Sequence, residues 1–121
     1  MVKALFDTNI LIDFLNGVEA AKTELALYRD KAISIITWME VQVGTTEPEQ
    51  TSVDRFLSGF TLLAIDEGVA QRAVVLRKGV NIKLPDAIIW ATAQVGGRLL
   101  VTRNSKDFAA KHPGVRIPYQ L

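Results

Sequence analysis

Cysteine is absent from the chain, and histidine occurs once, at His112. The first absence excludes a disulfide framework and a thiolate metal site, and it is typical of a reducing compartment such as the cytoplasm. His112 stands next to Pro113, a setting that favours a surface or loop residue over a catalytic base. A bound metal ion would therefore depend on oxygen ligands or on His112.

Long apolar runs are also missing. The longest lies near LPDAIIWATAQV, which is short of the roughly 20 residues that a spanning helix needs. The start, MVKALFDTN, lacks the apolar core of a signal peptide. A chain of 121 residues is long enough to bury roughly two thirds of its unfolded surface around one core. We expect one soluble, cytoplasmic domain over residues 1–121, with no membrane association.

The chain as a whole has little excess charge, with a net charge of +1, but its two parts differ. Residues 1–70 carry 5 Lys/Arg and 11 Asp/Glu, a net of −6, and residues 71–121 carry 9 and 2, a net of +7. A basic surface beside an acidic pocket suits an enzyme that binds a phosphate backbone and cuts it with carboxylate-held metal ions. The alternative is a solvated surface of mixed charge.

Short β-branched and apolar runs alternate with segments of helical spacing. The predicted strands cover residues 2–6, 33–37, 60–65 and 99–102, with a short fifth at 115–117. The predicted helices follow Asp7, cover residues 18–28, begin at Thr37, and then cover 53–57, 66–78 and 85–95. This alternation predicts an α/β fold, a three-layer α/β/α sandwich with a mostly parallel sheet of four to five strands. Ligands of such sheets bind beyond the carboxyl ends of the strands.

Four acidic residues stand at strand ends or helix starts. Asp7 follows the first strand, and Asp86 lies in a helix that is apolar nearly all round, where an inward carboxylate would need a cation or hydrogen bonds. Each acid also has a purely structural interpretation. Asp7 and Asp107 could cap the turns that follow them, the helix dipole favours Asp86 in a first turn, and Glu40 could form a capping box with Thr37.

Taken together, the four acids belong to the same predicted edge of the sheet, which favours a joint site. Converging carboxylates would repel one another unless cations joined them. Hard oxygen ligands without Cys or His select Mg²⁺ or Mn²⁺. A pair of such ions about 4 Å apart can activate water and stabilise the leaving oxygen in phosphodiester hydrolysis.

Four segments carry a family resemblance. In order and spacing, LFDTNILIDFL, SIITWMEVQVG, LPDAIIWATA and LVTRNSKDF are similar to the motifs of PIN domains of the VapC group, and they span nearly the whole chain. The resemblance implies a metal-dependent endoribonuclease, the toxin of a type II toxin–antitoxin system. It further implies an RNA substrate, a homodimer, and a small antitoxin protein that inhibits the enzyme.

The resemblance also assigns roles to single residues. The metal ligands that it implies are Asp7, Glu40, Asp86 and Asp107, with Mg²⁺ or Mn²⁺ as cofactor. Many family members have an aspartate where this chain has Asn104. The resemblance therefore assigns the fourth ligand position to Asp107, to Asn104 or to both. Thr8 and Thr102 occupy family positions that are polar and near the metal.

The remaining charged residues divide into two groups. Arg103 and Lys106 flank the acids and are candidates for RNA phosphate contacts. In the strand order that the resemblance implies, Asp66 follows a strand at the edge of the sheet, and we interpret it as a helix cap. Asp13 is expected to face solvent without a role.

The alternative function is a catalytically inactive PIN-like scaffold that serves for binding alone.

Overall fold

The computed structural model describes residues 2–108 and 112–121. Within these residues the strands are β1 (Lys3–Phe6), β2 (Asp30–Ser34), β3 (Thr61–Leu63), β4 (Leu99–Val101) and β5 (Val115–Arg116). The helices are α1 (Thr8–Leu15), α2 (Glu19–Leu25), α3 (Ile35–Val43), α4 (Gln50–Leu57), α5 (Glu67–Gly79) and α6 (Leu84–Val95), with a 3₁₀ turn at Glu47–Glu49. In the described part of the chain, no helix has the length and apolar character to cross a membrane.

The five strands form one parallel sheet in the order β3-β2-β1-β4-β5. The chain builds outward from β1 to β3 and then returns to β4 on the other side of β1. This reversal of strand order lies between β1 and β4, where Phe6 pairs with Val101. The residues that follow these two strands therefore flank the crevice in which parallel α/β sheets bind their ligands.

Helices cover both faces of the sheet, which confirms the predicted three-layer α/β/α sandwich. Successive residues of a strand point to opposite faces, so Leu5 and Phe6 of β1 belong to different apolar clusters. One cluster joins the sheet to α5 and α6 and includes Leu5, Ala73, Leu76, Ile89, Trp90, Leu100 and Phe108. The other joins it to α1, α2, α3 and α4 and includes Phe6, Ile10, Leu11, Leu25, Val41, Val53 and Val101.

The boundary between β2 and α3 differs from the prediction. The predicted strand covered residues 33–37, whereas β2 ends at Ser34 and α3 begins at Ile35. The Ser34 hydroxyl accepts a hydrogen bond from the Ile36 amide at 3.1 Å and caps the helix. The β-branched residues 35–37 therefore start a helix, because this cap and the packing of α3 outweigh their intrinsic strand preference.

The alternative interpretation of Thr37 and Glu40 as a capping box is consequently wrong, because α3 begins at Ile35 rather than at Thr37 and both residues lie inside it. The same Thr-x-x-Glu spacing does form a capping box at Thr46 and Glu49, ahead of the 3₁₀ turn. The side chains of Thr37 and Glu40 are thus free for contacts with other elements.

Candidate functional site

Asp7 lies at the carboxyl end of β1 and caps α1. Its side chain is 4% exposed. Oδ1 accepts a hydrogen bond from the Thr8 amide at 2.7 Å, and Oδ2 accepts one from the Thr102 hydroxyl at 2.8 Å. The Asn9 side-chain amide adds a longer bond to Oδ2, at 3.2 Å. The residue is therefore both a helix cap and a carboxylate held firmly at the point where strand order reverses.

Glu40 reaches the same place from α3. The Thr8 hydroxyl donates to Glu40 Oε1 at 2.6 Å and lies 3.0 Å from the hydroxyl of the buried Thr37. Glu40 is itself exposed. The contact joins the first and second sequence motifs across 32 residues of chain.

Asp86 stands in the first turn of α6, after Pro85, and is partly buried. Its carboxyl lies close enough to the Asp107 carboxyl for that group to contribute, after burial, to the raised pKa of Asp86. The predicted inward orientation of Asp86 is thus confirmed in part, because the side chain points toward other acids and retains access to solvent.

The loop after β4 holds Asp107 through Asn104. The Asn104 side-chain amide donates to Asp107 Oδ2 at 2.9 Å, and the Asp107 backbone amide donates to Asn104 Oδ1 at 3.2 Å. The Asn104 backbone amide in turn donates to the Thr102 hydroxyl at 3.0 Å. Asp107 is therefore the acid that approaches Asp86, and Asn104 is the residue that holds it.

Two of the four carboxyl groups, Asp7 and Asp86, have raised pKa values. Burial, together with the charges of Asp86 and Glu40, raises the pKa of Asp7 to about 6, although hydrogen bonds from Thr102 and Thr8 act in the opposite direction. Burial, followed by the charges of Asp107 and Glu40, also raises the pKa of Asp86, and the cation of Lys83 offsets part of this effect. The cluster thus carries negative charge that its own surroundings compensate poorly.

The donor chemistry of this cluster fits a hard divalent cation. Carboxylate oxygens are preferred ligands of Mg²⁺ and Mn²⁺, and an ion would relieve the repulsion that raises the two pKa values. As the side chains stand, no three acidic or histidine residues of the described chain already surround a single point at ligand distance. Side-chain rotation would therefore accompany binding.

The other charged residues singled out from the sequence lie in different settings. Asp66 Oδ1 accepts a hydrogen bond from the Val69 amide at 2.8 Å, which confirms it as a helix cap next to the edge strand β3. Lys106 is exposed in the loop after β4, and His112 is exposed. Arg103 directs its guanidinium to Asp13 in a salt bridge of 2.7 Å.

The expectation that Asp13 faces solvent is wrong, since its side chain is 6% exposed and accepts bonds from Arg103 and Tyr119. Helical spacing within α1 does not place position 13 on the buried face. The residues that cover Asp13, Arg103 and Tyr119, lie 90 and 106 residues further along the chain. The local signal for the burial of Asp13 was its position between two apolar residues, Ile12 and Phe14.

Sequence reasoning also missed Asn9 and Thr37. Asn9 donates to Asp7 and to the Thr102 hydroxyl, and its Oδ1 accepts the Arg103 amide at 3.1 Å. Thr37 is fully buried beside Thr8. The signal for Asn9 was its place directly after Asp7 and Thr8, in the motif that carries the first acid.

Comparison with known proteins identifies relatives over nearly the whole chain. The model of the PIN domain family matches residues 4–112. Ribonuclease VapC10 of Mycobacterium tuberculosis is 34% identical over 112 residues, which are 86% of this chain and 84% of that protein.

Solved structures agree with these matches. A chain in a toxin–antitoxin complex from Klebsiella pneumoniae superposes with a TM-score of 0.91 and 50% identity, over 98% of this chain and 100% of that one. A chain in DNA-bound VapBC from Salmonella typhimurium gives 0.76 and 30%, over 96% of each.

Proposed function

This chain belongs to the PIN-domain family, among its VapC-type members, and we propose that it is a metal-dependent endoribonuclease, the toxin of a toxin–antitoxin pair. The observation that carries the proposal is the meeting of Asp7, Glu40, Asp86 and Asp107 beside the strand-order reversal, where burial, followed by the charges of neighbouring acids, raises the pKa values of Asp7 and Asp86. Beyond the cap that Asp7 provides, such a cluster of like charges has no evident structural use. Its chemistry is that of a carboxylate site for divalent cations.

Asp7, Glu40, Asp86 and Asp107 would hold Mg²⁺ or Mn²⁺. When bound, such an ion polarises the phosphodiester and lowers the pKa of a coordinated water. Asp7 is the least mobile ligand, because the Thr8 amide, Thr102 and Asn9 all bind its carboxylate.

The remaining acids differ in their access to solvent and RNA. Glu40 is the most exposed of the four, so it is the carboxylate best placed to take a proton from an attacking water. Thr8 binds one of its oxygens and keeps the side chain at the site. Asp86 is positioned by the first turn of α6, and Asp107 is held by the Asn104 side chain.

Two lysines beside the acids suit the RNA backbone. Lys83 precedes α6, is exposed, and lies close enough to lower the pKa of Asp86. Lys106 is exposed one residue before Asp107. Phosphate oxygens on either side of the cleaved bond would contact these cations, and affinity for RNA would fall as salt rises.

A small antitoxin is the partner that the proposal requires, in line with the toxin–antitoxin complexes among the structural relatives. We also propose a homodimer. Val74 and Val75 of α5 are 48% and 56% exposed, and contact with a second copy would remove this apolar surface from water. The molar mass in solution, measured by light scattering, tests the dimer.

The proposed activity is tested by cleavage of total cellular RNA by the purified chain, with Mg²⁺, with Mn²⁺ and with chelator. We expect cleavage that requires the ion. Asp86→Asn should reduce it at least about a hundredfold, because even residues that only orient metal ligands contribute 10- to 100-fold.

Asp66→Asn is the matched control, since asparagine also caps helices and Asp66 lies outside the acid cluster. This variant should cleave RNA like the wild type. Equal activity of the Asp86 variant, or cleavage that chelator leaves unchanged, would contradict the proposal and favour an inactive binding scaffold.

A further inference from the structure

The charged pair of Asp13 and Arg103 lies beside the acid cluster without belonging to it. Arg103 Nε donates to Asp13 Oδ2 at 2.7 Å, and Nη2 donates to Oδ1 at 3.0 Å. The Tyr119 hydroxyl adds a bond of 2.8 Å to Oδ2. Two parallel bonds between a guanidinium and a carboxylate define both a distance and an orientation, which a single lysine bond does not.

This pair connects two segments that carry proposed metal ligands. Asp13 belongs to α1, the helix that Asp7 caps. Arg103 opens the loop after β4, and its backbone amide also donates to Asn9 at 3.1 Å. The start of the loop is therefore attached to α1 through both the main chain and the side chain of Arg103.

From Arg103 the attachment continues to Asp107. Asn104 follows at once and bonds to Asp107 through its side chain in both directions. The Phe108 amide closes the turn on the Asn104 carbonyl at 3.2 Å. Hydrogen bonds thus join Asp13 to Arg103 and Asn104 to Asp107, and the peptide bond between Arg103 and Asn104 connects the two pairs.

We propose that Arg103, through its two bonds to Asp13, is a positioning residue that holds the loop of residues 103–107 so that Asp107 completes the carboxylate cluster. The inference rests on the proposed metal-dependent function. It gives Arg103 a different role from the RNA contact that sequence position suggests, and it gives Asp13 a role.

Burial supports this assignment. Asp13 is almost inaccessible, while the Arg103 side chain is 32% exposed, so the carboxylate depends on the guanidinium as its charge partner. A cation recruited to RNA phosphates would leave a buried carboxylate uncompensated, which is unfavourable. Lys83 and Lys106 are exposed, and among the described residues neither is paired with a buried carboxylate.

The test uses Arg103→Lys and Asp13→Asn, which break the paired bonds from either side and keep the approximate size of each side chain. Arg116→Lys is the matched control. Arg116 makes the same two-bond contact with buried Glu24, at 2.6 and 2.9 Å, without touching any of the four acids. Two properties are measured, namely Mn²⁺ affinity by calorimetry and amide hydrogen exchange at residues 104–108.

We expect both pair variants to bind Mn²⁺ about tenfold or more weakly, the usual effect of losing a group that orients a metal ligand. Their amides at Asp107 and Phe108 should exchange faster than in the wild type. Arg116→Lys should change neither property, even where it lowers the thermal midpoint by a similar amount.

Wild-type Mn²⁺ affinity and wild-type exchange in Arg103→Lys would overturn the inference, and a raised KM with a weaker salt dependence would then assign Arg103 to RNA. A wild-type protein that binds no Mn²⁺ would contradict the proposed function instead. In that event the exchange rates alone decide whether Arg103 holds the loop.

Discussion

At the scale of single residues, Asp7 combines a structural and a chemical requirement. A capping carboxylate normally stands at the protein surface, where solvent stabilises its charge. Asp7 is buried beside other acids, and its pKa rises to about 6 from 3.8. The hydrogen bonds from Thr8 and Thr102 lower the cost of ionisation without abolishing it. The ionised side chain therefore destabilises the metal-free fold and favours a bound cation.

The raised pKa of Asp7 predicts how the free energy of unfolding depends on pH when chelator is present. A carboxyl whose pKa is raised on folding contributes its full stability below pH 3.8 and loses it as pH rises toward 6. Two units of pKa correspond to about 3 kcal/mol. The free energy of unfolding of the wild type should fall by about this amount relative to Asp7→Asn between pH 3.8 and 7.

Urea unfolding across this pH range measures the difference. Each protein gives a curve of unfolding free energy against pH. Comparing the slopes of the two curves removes the effect of the hydrogen bond that asparagine cannot accept, because that effect is the same at every pH. Parallel curves for the wild type and the variant would mean that Asp7 titrates normally and that its burial is compensated within the protein.

At the scale of elements, two arginines attach the end of the chain to the helices near its start. Arg103 and Tyr119 bind Asp13 of α1, and Arg116 of β5 binds Glu24 of α2. The apolar clusters hold the helices against the sheet, but apolar contact is not directional. The paired bonds supply orientation, and they place both carboxylates in the interior between the C-terminal segment and the first helices.

The pair of Glu24 and Arg116 predicts a loss of stability in Glu24→Gln. Glu24 is 4% exposed and Arg116 is 44% exposed, so solvent accommodates the released cation in part. We expect the variant to unfold about 1–3 kcal/mol more easily at pH 7, which is below the value for a fully buried pair. Glu19→Gln, an exposed acid at the start of the same helix, should stay within about 0.5 kcal/mol of the wild type.

The pH dependence gives a second check on this pair. Burial alone would raise the pKa of Glu24, but the bonds from Arg116 and Tyr28 outweigh it and lower the pKa below 4.5. The contribution of a carboxyl with a lowered pKa is present above pH 4.5 and is lost as pH falls further. The gap between the wild type and Glu24→Gln should therefore close in acid, and a constant gap would attribute the effect to packing.

At the scale of the whole molecule, the division of charge along the chain acquires a spatial meaning. Residues 71–121 contain only two acids, Asp86 and Asp107, and both belong to the cluster. Folding brings them to Asp7 and Glu40 of the acidic part of the chain. These four acids concentrate at one edge of the sheet, and Lys83 and Lys106 of the basic part stand beside them.

A cation that neutralises this cluster should stabilise the entire fold. At a concentration 100 times its Kd, Mg²⁺ or Mn²⁺ would add about 2.7 kcal/mol to the free energy of unfolding. The thermal midpoint should rise on addition of the ion and fall back with chelator. The rise should be smaller below pH 6, where Asp7 must lose a proton to bind, and smaller in Asp86→Asn. A thermal midpoint that does not change on addition of the ion at any pH would contradict binding at this cluster.

The fold class and most of the candidate acids were predictable from local sequence patterns. Apolar runs of period two and 3.6 identify strands and helices, and parallel strands bring their carboxyl ends to one edge. Asp7, Asp86 and Asp107 follow those ends or start those helices, so their convergence was predictable. Asp66 was separable from them once β3 was assigned to the edge of the sheet.

Which polar groups meet depends on the folded structure as a whole, because the partners are remote in the chain. Glu40 bonds to Thr8 rather than to Thr37 of its own helix start, since Ser34 already caps α3. Asp13 is buried because Arg103, 90 residues away, supplies the matching charge. Local spacing specifies which face a residue occupies on its own element, but burial and charge pairing depend on what the rest of the chain places against that face.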